Sequence, residues 1–303
     1  MDLLKKLCEL HAPSGEEVHM ARFITDYLEA NPQLFKYKPE VIQGPELQDC
    51  LIIKFGNPRT AVFAHMDSVG FTVRYQNQLV AIGGPEVQTG YALKGEDDFG
   101  PIECELEVSK DNQLFYKFGR AIATGTSLTF QCNFREDKDY VTSCYLDNRL
   151  GIYNALKLAE TLQDGVIVFS AWEEHGGGSV PYLGKYIYEK WGIKQALISD
   201  ITWITDGVHP GDGVVISMRD QHIPRKSFVN KVINIAAEHG VPYQLEVEGA
   251  GSSDGRELQQ APIPFDWCFV GAAEQNVHSP DEKVHKNDIK NMLELYKILM
   301  TEL

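Results

Sequence analysis

The chain has 303 residues, enough for a large core and two domains. Its apolar content of 43% and charged content of 23% are ordinary for a globular protein. A formal net charge of −15 argues against nucleic acid or an anionic membrane surface as partner.

The first 15 residues read MDLLKKLCELHAPSG, with Leu3, Leu4, Leu7 and Leu10 at helical spacing. Lys5 and Lys6 interrupt them, so the stretch is neither a signal peptide nor a membrane span, and no other apolar run is long enough to be one. Asp2–His11 predicts an amphipathic helix stopped at Ala12–Gly15, and Glu16–Ala30 a second one. Cys50–Phe55 and Thr60–Ala64 read as strands of a hairpin turning at Gly56-Asn57-Pro58-Arg59, the second running into His65-Met66-Asp67. From Ser68 to Ser143 short alternating runs dominate (GFTVRY, IECELEVS, SLTFQCNF), as in a small β-barrel or sandwich. Helices and strands then alternate to the end. The reading is an α/β fold with a mixed, largely parallel sheet covered by helices on both faces. A small barrel-like all-β domain, 68–143, is inserted into a catalytic domain made of 1–67 and 144–303.

Within the second half, Asn148–Gln163 reads as a helix and Val166–Ser170 as a buried strand delivering Glu173 and Glu174 before Gly176–Gly178 turns the chain away. Val180–Trp191 reads as a helix, and Gln195–Ser199 as a strand followed by Asp200. Tyr243–Val247 is a strand entering Gly249–Asp254, Asp266–Val270 a strand leading to His278, and Asp288–Leu299 a closing helix. Ligand sites in open α/β sheets gather beyond the carboxyl ends of strands. His65, Asp147, Glu174, Asp200 and His278 share that position or a helix start, and imidazole with carboxylate suits zinc, cobalt or manganese. Singly, each has a structural reading: a core histidine, a helix N-cap, half of a solvated Glu-Glu pair, a turn aspartate, a loop residue. Together they require a repeated coincidence.

AHMDSVGF at Ala64–Phe71, YLDNRLG at Tyr145–Gly151, WEEHGG at Trp172–Gly177, ISDIT at Ile198–Thr202 and VHSPDE at Val277–Glu282 resemble, in order, the motifs of the M42 family of di-metal aminopeptidases. IGG at Ile82–Gly84 and the tail EKVHKNDIKNML fit as well, so the resemblance spans nearly the whole chain. The same ligand scheme extends to the M28 and M20 metallopeptidases. The resemblance implies two divalent ions per chain, zinc or cobalt foremost and manganese third. Asp147 would bridge them roughly 3.5–4 Å apart, with His65 and Asp200 on one and Glu174 and His278 on the other. It implies that Glu173 is the general base and that Asp67 accepts the second ring N–H of His65. It also implies attack by a water bridging the ions on peptides with a free N-terminus, and a homo-oligomer. Three departures from the family pattern are Asn148 in place of an acid, His175-Gly176-Gly177-Gly178 after the glutamate pair, and GSSDG at Gly251–Gly255, which keeps Asp254.

Other readings keep these residues. A deacylase or carboxypeptidase could use the same ions, and an inactive scaffold or binding protein could keep the fold. A glycosidase pair at Glu173 and Glu174 fits poorly, since adjacent strand residues point oppositely. Arg219, Arg225 and Arg256 lie in segments able to approach the site, where an arginine would select an acidic side chain; each also reads as a surface or ion-pair residue. Six scattered cysteines without a C-x-x-C pair suit reduced thiols and a cytoplasmic location.

Overall fold

The computed structural model describes residues 1–303. Helices α1 (Asp2–Glu9) and α2 (Val18–Ala30) lead into β1 (Glu40–Ile42), β2 (Leu51–Phe55) and β3 (Ala61–His65). A run of strands follows: β4 (Gly70–Val73), β5 (Gln78–Ile82), β6 (Ala92–Asp97), β7 (Gly100–Val108), β8 (Leu114–Lys117), β9 (Ser127–Phe130), β10 (Arg135–Glu136) and β11 (Tyr140–Ser143). Next come α3 (Leu146–Ala159), β12 (Gly165–Ser170), α4 (Val180–Trp191), β13 (Gln195–Trp203), β14 (Val214–Arg219) and α5 (Lys226–Glu238). The chain closes with β15 (Tyr243–Val247), α6 (Asp254–Gln260), β16 (Asp266–Gln275), β17 (Glu282–His285) and α7 (Lys286–Glu302).

Eleven strands form one mixed sheet in the order β1-β2-β12-β3-β13-β16-β17-β11-β10, with β14 pairing to β16 and β15 to β14. Its centre, β12-β3-β13-β16, is parallel, and antiparallel pairs flank it. Period-two alternation explains the two layers. In β12, Ile167 and Phe169 enter the core built with α1, α2, α3, α5 and α7, while Val166 and Val168 enter the core beneath α4 and α6. β3, β13 and β16 divide their side chains in the same way. Strands buried on both faces read as continuous apolar runs, which is how they look in the sequence.

The expected hairpin of β2 and β3 does not form. β12 lies between them, antiparallel to β2 and parallel to β3. All five residues of β3 are buried, a position suited to the middle of a covered sheet. Asn57 N–H donates to Asp164 Oδ1 at 2.6 Å, tying the turn to the residue that precedes β12. Strands β4-β5-β8-β7-β6-β9 close into a separate barrel. On β7, Ile102, Cys104 and Leu106 point into the barrel core and Glu103, Glu105 and Glu107 outward. β10 and β11, inside the stretch read as the insertion, pair instead with the large sheet through β17. None of the helices is long and apolar enough to cross a membrane.

Candidate metal centre

His65 is the last residue of β3, and the neighbouring β12 carries the chain to Glu173 and Glu174 in a single 3-10 turn. Asp147 lies at the start of α3, where it and Asn148 leave helical geometry (ψ 108° and 41°), the peptide between them being cis. Asp200 was expected just beyond a strand end; it lies within β13, which continues to Trp203 because β16 extends alongside it. His278 follows β16. It shares a left-handed φ near +65° with Tyr145 and Trp172, each beside a site residue, and such backbone costs about 1–2 kcal/mol per residue.

These five side chains converge. His65 Nε2 is 3.1 Å from Asp147 Oδ1 and 3.6 Å from Asp200 Oδ2. His278 Nε2 is 3.3 Å from Asp147 Oδ2 and 3.1 Å from Glu174 Oε2. Asp147 thus offers one oxygen to each of two His-carboxylate pairs. His65, Asp147 and Glu174 present ligand atoms within 4.8 Å of one another. His278 Nδ1 lies 3.0 Å from the Gly84 carbonyl; donating there fixes the tautomer that leaves Nε2 a free lone pair.

The centre carries four carboxylates (Asp147, Glu173, Glu174, Asp200) and two histidines, and no lysine or arginine lines its cleft. Burial pushes Asp200 up to about 8 and Glu173 well above the carboxylate range. Burial opposes charge on His278, yet Asp147 and Glu174 beside it push its pKa up to about 12. Burial likewise opposes charge on Asp147, but His278 and His65 hold it low. Buried Glu174 Oε1 has no hydrogen-bond partner. Protons are being asked to neutralise what divalent cations would neutralise better, and the N/O donor set fits zinc, cobalt or manganese.

Asp67, expected to accept the second ring N–H of His65, lies beside that ring. Its Oδ1 is 3.4 Å from His65 Nδ1, and no other group partners that buried nitrogen. The Asp67 carboxylate also accepts the backbone N–H groups of Glu173 and Glu174, both at 3.1 Å, and the Ser14 hydroxyl at 2.6 Å. It therefore holds the turn that presents both glutamates. Arg149, fully buried, donates to the carbonyls of Met66 and Asp67 and anchors that segment to α3.

Several supporting residues were missed from sequence. Glu282 accepts Asp147 N–H at 3.1 Å and His278 N–H at 2.9 Å, bracing two candidate ligands at once. Ser253 donates to Asp200 Oδ2 at 2.6 Å. Glu17 accepts Trp172 N–H at 3.0 Å. Glu282, Arg149 and Ser253 stand inside quoted motifs, so position in a motif was the available signal. Asp254 accepts the Ser170 hydroxyl at 2.5 Å and stays outside the cleft. None of the three arginines lines the cleft either: Arg225 pairs with Asp266, Arg256 donates to the Gly176 carbonyl, and Arg219 Nε to the Asp220 carbonyl.

The profile described as M42 glutamyl aminopeptidase matches residues 111–295. A protein of Acetivibrio thermocellus named "Putative aminopeptidase" is 26% identical over 97% of this chain and 96% of its own. Among solved structures, an aminopeptidase from the archaeon Desulfurococcus kamchatkensis superposes with a TM-score of 0.86 at 21% identity, covering 100% of this chain and 94% of that one. The TET1 peptidase of Pyrococcus horikoshii, titled as assembling into a tetrahedron or a large octahedral shell, superposes at 0.83 with 20% identity, covering 100% and 99%.

Proposed function

The chain belongs to the M42 peptidase family, and from that premise we propose that it is a metal-dependent aminopeptidase holding two divalent ions between its sheet and its barrel. The observation that carries the reading is the division of Asp147: one oxygen faces His65 and Asp200, the other His278 and Glu174. Ions held by those five side chains would polarise a scissile carbonyl and make water nucleophilic at neutral pH. Zinc or cobalt suits the donor set best, with manganese third.

The remaining work falls to the chain. Glu173 takes the proton of the attacking water and passes it to the leaving amine. Its carboxylate accepts no hydrogen bond from the protein, while its backbone N–H is held by Asp67, so the group is aimed and unspent. Asp67 is a positioning residue through that turn, and Glu282 is one through Asp147 and His278. Peptides with a free N-terminus are the substrates that follow from the family, and association into a homo-oligomer accords with the assembly named for the Pyrococcus relative. Six unpaired cysteines accord with a cytoplasmic location. We take the closed barrel as the inserted unit and the remainder as the catalytic domain.

A panel of aminoacyl amides and their N-acetylated counterparts, assayed with apo protein and after restoring Zn²⁺, Co²⁺ or Mn²⁺, tests this. Hydrolysis of free-amine substrates alone, lost on chelation and recovered with metal, is the expected result. Cleavage of the blocked substrates would replace the reading with a deacylase, and activity surviving chelation would overturn it.

A further inference from the structure

The cleft over the candidate metal centre, about 190 Å³ in volume, does not end at the ligands. It continues toward the carboxyl ends of β13, β14 and β15, where Asp220, Glu246 and Glu248 line it together with Trp203. Glu246 is 4% exposed and Asp220 8% exposed, so two of these carboxylates are built into the wall. Thr202 donates to Glu246 Oε1, and the Ser217 hydroxyl beside the carboxylate also favours its charged form. Asp220 Oδ1 accepts His222 N–H at 2.5 Å. Arg219 directs its Nε to the Asp220 backbone carbonyl, its charge acting on the Asp220 carboxyl against burial, and it does not line the cleft. Trp203 lies against Gly251, where a Cβ would stand 3.2 Å from the indole, so this glycine lets the ring form a wall of the cleft.

We propose that Asp220, Glu246, Glu248 and the Trp203 ring form the pocket for the substrate's N-terminal side chain, and that it selects a cationic one, lysine or arginine. The inference rests on the aminopeptidase reading above and names its substrate class. The wall carries more carboxylate than cation: the His222 ring, 3.9 Å from Asp220 Oδ1, is the one basic side chain at ion-pair distance from any of the three, and an incoming ammonium or guanidinium would add charge-assisted hydrogen bonds to the others. An aromatic face beside them suits the same cation. A glutamate or aspartate side chain would meet three like charges, although the matching family profile is described as glutamyl aminopeptidase. Burial raises the pKa of Glu246 against the hydrogen bonds of Thr202 and Ser217, which favour its charged form, and Asp220 and Glu248 add to the rise.

The test compares kcat/KM of the metal-loaded protein for the amides of lysine, arginine, norleucine and glutamate, norleucine being nearly isosteric with lysine and uncharged. Lysine and arginine should exceed norleucine by roughly tenfold or more, with glutamate lowest, and added salt should narrow the gap. Glu246→Gln and, independently, Glu248→Gln should reduce the lysine-to-norleucine ratio several-fold. Glu248 is half-buried, so its variant keeps the test open if Glu246→Gln fails to fold. Calorimetric binding of lysine amide and norleucine amide should show the same ratio without turnover. Equal losses for lysine and norleucine in both variants would mean that the carboxylates hold the α-amino group, and would overturn the proposal. A preference for glutamate or norleucine would overturn it while leaving the aminopeptidase reading standing. No turnover of any free-amine substrate would sink both.

Discussion

At the scale of single residues, the proposed function gives Glu173 and its neighbour Glu174, on one turn, two different chemistries. Glu174 points at His278 Nε2 from 3.1 Å, as a ligand should, while Glu173 makes no side-chain hydrogen bond and is pushed upward in pKa by burial before any other cause. Glu173→Gln removes the proton acceptor and keeps the shape. We expect kcat to fall by roughly 10²–10⁴, with two metal ions per chain still found by elemental analysis. Loss of metal with activity would reassign Glu173 as a ligand, and retained activity would remove it as the base. The five candidate ligands were legible because each stands beside a strand end or helix start within a recognisable motif. Their supports were not. Glu282 braces Asp147 from 135 positions away and Ser253 braces Asp200 from 53 away, pairings that no local pattern encodes. Asp67 could be read as a histidine partner because it stands two residues from His65, but its grip on the backbone of a turn 106 residues on could not.

At the scale of elements, the loop leaving β5 joins the barrel to the candidate metal centre. Gly84 O holds His278 Nδ1, Glu86 N–H donates to the His278 carbonyl, and Gly83 N–H donates to His175 Nδ1. Gly83 has a φ of +68°, and a Cβ there would stand 2.8 Å from the Glu174 carbonyl oxygen. Gly83→Ala should therefore cost about 1–3 kcal/mol and weaken metal binding, whereas Gly84→Ala, whose nearest neighbour would be 3.8 Å away, should be far milder. Thermal melting of both variants with and without metal checks the contrast. Further into the barrel, Asp97 ends β6, pairs with Arg120 at 2.7 Å and accepts Phe99 N–H at 3.0 Å in the turn to β7. Arg120 is the leading cause of a carboxyl held well below its ordinary value. A depressed folded pKa means that the unfolded chain binds more protons in acid. The stabilisation from Asp97 is therefore present above the unfolded value of about 3.9 and is lost as pH falls through the folded one. Urea melts between pH 5 and pH 2 should show this slope and lose part of it in Asp97→Asn. The barrel's alternation was readable in the sequence, with Glu103, Glu105 and Glu107 interleaved among Ile102, Cys104 and Leu106. The order of the large sheet was not. A Gly-Asn-Pro turn between two strands signals a hairpin, and only the arrival of β12 more than a hundred residues later separates β2 from β3.

At the scale of the whole molecule, two opposing features bear on assembly. The outer edge of β15 pairs with no strand, and Leu245 and Val247 on it are 45% and 66% exposed. An open edge carrying apolar side chains is a template for pairing with a second copy. Against this stands a formal charge of −15 on every chain, which repels copies over a Debye length of about 10 Å at 0.1 M salt and about 30 Å at 0.01 M. If apolar pairing at this edge drives association and net charge opposes it, association must strengthen as salt rises. Sedimentation should then show species well above the 34.0 kDa of one chain at moderate ionic strength and a shift toward that mass in dilute buffer. An assembly held mainly by ion pairs would respond in the opposite direction. Val247→Lys, placing a charge on the exposed face of the edge strand, should lower the sedimenting mass at every salt concentration while leaving the melting of the single chain within about 0.5 kcal/mol of its starting value. A variant that assembles as fully as the parent would move the interface away from β15.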